Sequence, residues 1–148
     1  MTAKMKLIFR SAFFTSLSMV VYFFLLRGIK LDEIPSLRLI NFLILFIGVY
    51  STIKNNILQN NETQYWKNFY VGFYTSILAV VISLISLIIY VNYVQPNFIY
   101  ILQNSFFFWE HGFNFPLTIF IIFIQGVIVS AMSSFIIMQY WRKNMPNF

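Results

Sequence analysis

Cysteine is absent from this chain of 148 residues. Without thiolates the protein cannot form a disulfide, a thiolate zinc site or an iron–sulfur cluster, and it has no cysteine nucleophile. Charge is also scarce, because 9% of the residues are charged and only four are acidic. A soluble domain typically carries about a quarter of charged residues. Most of the surface must therefore face lipid.

Histidine occurs once, as His111, next to Glu110 in the segment SFFFWEHGFNFP. With no second histidine and no cysteine, we expect neither a metal nor another cofactor. A membrane enzyme that gathers Glu110 and His111 with Asp32 and Glu33 on the outer face is an alternative. However, adjacent helical residues point about 100° apart, so this pair cannot aim at one atom without a local distortion. We interpret Trp109, Glu110 and His111 as outer interfacial residues of a non-enzymatic protein.

The net charge of +6 invites a nucleic-acid interpretation. The basic residues flank apolar runs, and they form no stripe with interleaved aromatic residues. Their positions are typical of residues that orient a protein in the lipid bilayer and contact anionic lipid. We therefore expect the bilayer, and not nucleic acid, as the partner of these charges.

Four long apolar segments predict four transmembrane helices, since about 20 mostly apolar residues cross the hydrocarbon core. Short connections favour an antiparallel up-down bundle in a single integral membrane domain over residues 1–148. The fold class is thus an all-α membrane protein. The four spans are expected at about 8–28, 36–55, 66–94 and 114–141.

Lysine and arginine predict the orientation, because they concentrate in cytoplasmic loops. With the N-terminus inside, seven of the ten basic residues lie on the inner side and both termini are cytoplasmic. The inner residues are Lys4, Lys6, Arg10, Lys54, Lys67, Arg142 and Lys143. The outer residues are Arg27, Lys30 and Arg38.

Small residues recur along the third and fourth spans at spacings of three and four. Such stripes mark close helix contacts in lipid, and a period of 3.5 is typical of a left-handed supercoil. A polar path for a solute is the alternative, but the stripe contains nothing ionisable. We name these residues the helix-packing seam. They are Gly72, Ser76, Ala79, Ser83 and Ser86 in the third span, and Gly126, Ser130 and Ser133 in the fourth.

Two amides lie deep in the predicted spans, and both are predicted to be buried. Asn41 is in the second span and Gln125 is in the fourth. Buried amides need partners, so we expect hydrogen bonds across the bundle.

Two connections carry further predictions. Between the third and fourth spans, apolar residues at helical spacing predict a short helix at 97–112, either interfacial or re-entrant, that begins near Asn97 and ends at Gly112. Between the second and third spans, the asparagine-rich segment NNILQNNETQ predicts a solvated turn.

The stretch IGVYSTIKNN, followed by WKNFYVGFYTSILAVVISLISLIIYVNYVQPNF and QGVIVSAMSSFIIMQYWRKN, resembles a bacterial family of four-helix membrane proteins, domain of unknown function 4199. The matching features include Gly48, Gly72, Tyr90 and Pro96, and the similarity covers roughly residues 48–143. The resemblance implies a bacterial inner-membrane protein with four spans. It implies no activity, because none is assigned to that family.

These features favour an accessory or scaffold subunit of a larger membrane or envelope-biogenesis assembly, with a membrane protein partner or as a homo-oligomer. Helix-packing features are abundant and groups that carry chemistry are few. The alternative is a small oligomeric carrier or flippase for a lipid or a polyprenyl-linked sugar. In that case the basic inner loops and the seam hydroxyls would hold phosphate and sugar.

Overall fold

A computed structural model describes residues 3–30, 37, 39–98, 100 and 114–144. These residues fold into four long helices and contain no strand, which confirms an all-α protein. All four helices are long and apolar enough to cross a membrane. They are α1 (Ala3–Gly28), α2 (Ile40–Asn60), α3 (Tyr65–Tyr93) and α4 (Phe115–Asn144).

The helices extend beyond the predicted spans at the end of the bundle where Lys4 contacts Glu62, which we call the inner end. α1 begins at Ala3, so Lys4 and Lys6 belong to the helix. α2 continues to Asn60, where Asn61 takes a left-handed conformation with φ 49° and its N–H bonds to the carbonyl of Asn56. Asparagine tolerates this conformation better than most residues, so it ends the helix at little cost. A helix satisfies its own backbone groups, and it can therefore continue past the hydrocarbon edge.

The α2–α3 pair forms the centre of the bundle. α1 packs against both α2 and α3, and α4 also packs against both of these helices. One apolar cluster joins α1, α2 and α3 through Ala12, Leu45 and Ala79. A second joins α2 and α4 around Ile53 and Met138, both fully buried.

Large apolar side chains also cover the outside of the bundle. On α1, Phe13 is 56% exposed, Phe24 is 53% exposed and Leu25 is 63% exposed. In water such a surface would aggregate, whereas lipid tails solvate it as well as a protein core does. The inside and the outside of each helix are therefore both apolar.

An aromatic cluster joins α1 to the outer end of α3. The rings of Phe23, Tyr90 and Phe98 meet edge to face with centroids 5.1 to 5.5 Å apart. The guanidinium of Arg27 lies over the Tyr90 ring, 4.9 Å from its centroid. Phe98 is 1% exposed, so this residue at the start of the predicted 97–112 helix is part of the core. Most of that predicted helix lies outside the described residues.

Candidate functional site

The helix-packing seam lies where the helices meet. Its glycines permit close approach of the neighbouring helix, because a Cβ at either position would overlap a side chain of that helix. On Gly72 the Cβ would lie 2.6 Å from the Cδ1 of Ile53, and on Gly126 it would lie 2.6 Å from the Cγ1 of Val80. Gly48 meets the side chain of Thr15 in the same way.

None of the remaining seam residues is exposed. Ser76, Ala79, Ser130 and Ser133 are buried, whereas Ser83 and Ser86 are half-buried. Ser83 donates to the sulfur of Met19 on α1 at 3.6 Å, which links α3 to α1.

The seam hydroxyls bond mostly to their own helices. Ser130 donates to the carbonyl of Gly126 at 2.7 Å, Ser86 donates to Ile82 at 3.0 Å, and Ser76 donates to Phe73 at 2.9 Å. Thr52 and Thr75, which flank the seam, donate to carbonyls four residues earlier. These donors are therefore already satisfied inside the bundle.

The structure separates the two amides that were predicted to be buried. Asn41 is half-buried, and its Oδ1 is buried with no hydrogen-bond partner among the described residues. Gln125 is exposed on the surface of α4, so the prediction that it is buried is wrong. The physical reason is its position on the helix, because the neighbouring Gly126 is the residue that turns toward α3. Trp109, Glu110 and His111 lie outside the described residues.

A buried asparagine pair lies at the inner end of the α2–α3 hairpin, where the sequence predicts a solvated turn. Asn56 and Asn68 are both fully buried, and the Nδ2 of Asn56 donates to the Oδ1 of Asn68 at 2.7 Å. The Nδ2 of Asn68 donates to the backbone carbonyls of Glu62 at 2.8 Å and Gln64 at 3.1 Å. Asn60 donates to the Oδ1 of Asn56 at 2.9 Å. The Asn68 amide thus links the end of α2 to the connection that leads into α3.

The spacing in the sequence carried a signal for this pair. Asn68 precedes Gly72 by four residues, so it continues the seam by one more step. Asn56 follows Ile53 by three residues and therefore shares its buried face. The asparagine-rich composition of the segment indicated a turn and masked this periodicity.

Glu62 holds the same connection against α1. Its Oε2 accepts a hydrogen bond from the ammonium of Lys4 and lies 3.7 Å from the Nζ of Lys67. The bond from Lys4 lowers the pKa of Glu62 below its ordinary value of 4.5, and the backbone N–H of Gln64 and the charge of Lys67 add to this effect. Burial opposes the shift in pKa. Glu62 is therefore a carboxylate at neutral pH.

The inner end of the bundle thus combines a buried amide pair with an ion cluster of two lysines and one carboxylate. It is suited to fixing the α2–α3 connection and the start of α1. Within the part of the chain that the structure describes, no three acidic, histidine or cysteine residues gather as metal ligands.

A bundle of four apolar helices with interlocked glycines defines the class: a multi-pass membrane protein. The chain belongs to the family described as "Protein of unknown function (DUF4199)", whose match covers residues 10–107, about two thirds of the chain. This confirms the resemblance seen in the sequence, although the match begins within α1 and ends before α4. No curated protein and no solved structure matches the chain.

Proposed function

We propose that this protein is a non-enzymatic accessory or scaffold subunit of a larger assembly in the bacterial inner membrane, with both termini in the cytoplasm. The membrane setting is supported by the four helices that are long and apolar enough to cross a bilayer. The orientation is supported by the excess of basic residues at one end of the bundle.

We also propose that consecutive helices run antiparallel. Thr15 on α1 meets Gly48 on α2, while Lys4, nearer the start of α1, reaches Glu62 just beyond the end of α2. Between α3 and α4, Val80 meets Gly126. From the Thr15–Gly48 contact to the Lys4–Glu62 pair, α1 runs back to its start while α2 runs on past its end. From the Val80–Gly126 contact to the bond between Tyr65 and Gln139, α3 runs back to its start while α4 runs on toward its end, as an up-down bundle requires.

The observation that carries the scaffold proposal is the close packing and internal hydrogen bonding of the helix-packing seam. Its glycines admit side chains of the neighbouring helix at contact distance, and the hydroxyls of Ser76, Ser86 and Ser130 bond to carbonyls of their own helices. A carrier would need such hydroxyls free to bond to a solute, whereas a scaffold needs them bonded within the bundle. The geometry therefore favours a rigid bundle that presents its outer surface to a partner.

The experiment is extraction of the tagged protein in native lipid patches, followed by mass spectrometry of the co-purified proteins and lipids. We expect one protein partner that recurs in fixed stoichiometry. As a control, tagged membranes are mixed before extraction with isotope-labelled membranes from untagged cells. A true partner carries only the unlabelled isotope, since it was bound before extraction.

Purification without any protein partner would contradict the proposal. A specific lipid-linked sugar, bound stoichiometrically in place of a protein, would favour the carrier instead. Both results concern the identity of the bound molecule, and both can be read from the same preparation.

A further inference from the structure

Gln125 is an amide exposed to lipid far from both ends of α4. α4 runs ten residues from Phe115 to Gln125 and 17 residues from Gln125 to Arg142. These separations are about 15 Å and about 25 Å along the helix. The hydrocarbon core is about 30 Å thick, so the Gln125 side chain cannot reach the headgroups from this depth.

The Gln125 side chain has no hydrogen bond within the described part of the chain. Other amides of the helices are either bonded or near a helix end. Asn56 and Asn68 bond to each other, and Gln139 bonds to the Oη of Tyr65 at 3.5 Å. An unpaired amide in hydrocarbon is costly, and helices in lipid pair such groups with one another.

We propose that Gln125 pairs with Gln125 of a second copy of this chain, so that α4 forms the centre of a two-fold symmetric dimer. A glutamine amide carries both a donor NH₂ and an acceptor carbonyl. Two such amides related by a two-fold axis form two reciprocal hydrogen bonds, and the interface is isologous. This proposal is independent of the identity of any other partner.

The membrane itself favours a second copy over an unrelated protein. Two copies with the same orientation place Gln125 at the same depth, with their α4 helices parallel. A two-fold axis along the membrane normal then brings the two amides face to face without any further adjustment. An unrelated partner would need its own polar group at that depth.

The surface around Gln125 is suited to helix contact. Residues three to four positions away, and seven positions away, share a helical face. Ile121 precedes Gln125 by four residues, and Ile128 and Met132 follow it by three and seven. Ile128 is 53% exposed and Met132 is 58% exposed, so an apolar rim surrounds the amide. This rim excludes lipid and water from the two hydrogen bonds.

The test is the Gln125→Leu variant in liposomes, where energy transfer between labelled copies is measured as the protein is diluted with lipid. We expect a dimer in the wild type, and an association constant about tenfold lower in the variant. Tenfold corresponds to about 1.4 kcal/mol. The matched control is Gln139→Leu, which removes the same amide at the inner end of α4 and should change association less than about twofold.

A second measurement uses the absence of cysteine from the chain. Met132→Cys places the only thiol on the α4 rim, and Phe13→Cys places it on the exposed face of α1. Oxidation in membranes should cross-link Met132→Cys to a covalent dimer, and leave Phe13→Cys monomeric at the same expression level.

Three results would overturn the proposal. They are a wild type that stays monomeric over the whole dilution series, equal association of the wild type and Gln125→Leu, and equal cross-linking of the two cysteine variants. A different protein that Gln125→Leu releases from an otherwise monomeric chain would also overturn it. The first three results leave the scaffold proposal untouched, because it depends on partner capture by the wild type, whereas the last would support it.

Discussion

At the scale of single residues, Asn68 is the best-satisfied polar side chain of the described interior. Its oxygen accepts from Asn56, and its nitrogen donates to the carbonyls of Glu62 and Gln64. Removal of this amide takes the side-chain partner from the Nδ2 of Asn56 and from the carbonyl of Glu62, whereas the carbonyl of Gln64 keeps the backbone N–H of residue 68. A buried polar group left unpaired is costly. Asn68 therefore makes more of the bonds that close the α2–α3 hairpin than any other described side chain.

We expect Asn68→Leu to lower the free energy of unfolding by about 2 kcal/mol, because it leaves the buried amide of Asn56 without its acceptor and removes two bonds to carbonyls of the connection. The measurement is denaturant unfolding in a mild detergent, followed by circular dichroism. Asn92→Leu is the control, since Asn92 is exposed at the outer end of α3. Equal stability of the two variants would contradict the role given to Asn68.

Glu62 gives the inner end a defined pH dependence. Its pKa in the folded protein lies below the ordinary value of 4.5, chiefly because Lys4 donates to it. The unfolded state therefore binds more protons between these two values, and stability rises with pH there. The contribution is complete above pH 4.5 and is lost as the pH falls through the lowered pKa.

We expect the stability difference between the wild type and Glu62→Gln to be at most about 1 kcal/mol, because Lys4 and Lys67 are partly exposed and solvent screens the pairs. The difference should shrink on acidification below pH 4.5. Thermal unfolding of both proteins from pH 3 to pH 6 measures it. A difference that does not change with pH would show that Glu62 acts without its charge.

At the scale of elements, the helices associate through backbone proximity rather than through burial of large apolar side chains. Lipid tails are as apolar as leucine, so hiding such side chains gains little, and dispersion contacts between close helices dominate. Gly126 against Val80 is one such contact between α4 and α3. Valine in a helix has one strongly preferred χ1 rotamer, so it cannot easily turn away.

We expect Gly126→Ala to destabilise the bundle by about 1 to 3 kcal/mol, because the new methyl group overlaps Val80. Gly28→Ala is the control, since a Cβ at Gly28 has nothing within 4 Å. Val80→Ala should restore part of the loss in the double variant. The measurement is the free energy of unfolding in detergent of both single variants and of the double variant. Additive effects of the two substitutions would argue against a direct contact between Gly126 and Val80.

At the scale of the whole molecule, charge asymmetry should orient the bundle in the membrane. Seven of the ten basic residues are predicted at the inner end, and lysine and arginine near a membrane surface attract anionic lipid. The Lys4–Glu62 pair lies at that same end, so one of the few acids is neutralised where the basic residues concentrate.

We expect Lys30→Cys to react with a membrane-impermeant thiol reagent added to intact spheroplasts, and Gln59→Cys to react only after the membrane is opened. Both residues are exposed at opposite ends of the bundle, and the chain has no other cysteine. Detection of the label by mass shift is sufficient. The reverse pattern of labelling would place the termini outside.

Much of the fold could be predicted from the sequence, whereas less of the candidate site could. The four spans are readable because length and apolarity are local properties of each segment. The seam glycines are readable for a similar reason, since Gly72 and Gly126 lie at regular spacing among small residues. The burial of Asn68 was masked by its asparagine-rich surroundings, and Gln125 was assigned to the wrong side of α4.

The sequence by itself determined the four apolar helices and their family, because hydrocarbon forces each span to satisfy its backbone within its own helix. Only the tertiary structure decided which polar side chains face inward. An apolar interior and an apolar lipid phase leave the same hydrophobic pattern on a helix, so the pattern cannot tell Asn68 in the core from Gln125 in lipid. Contacts between helices, and not the composition of any one helix, settle that difference.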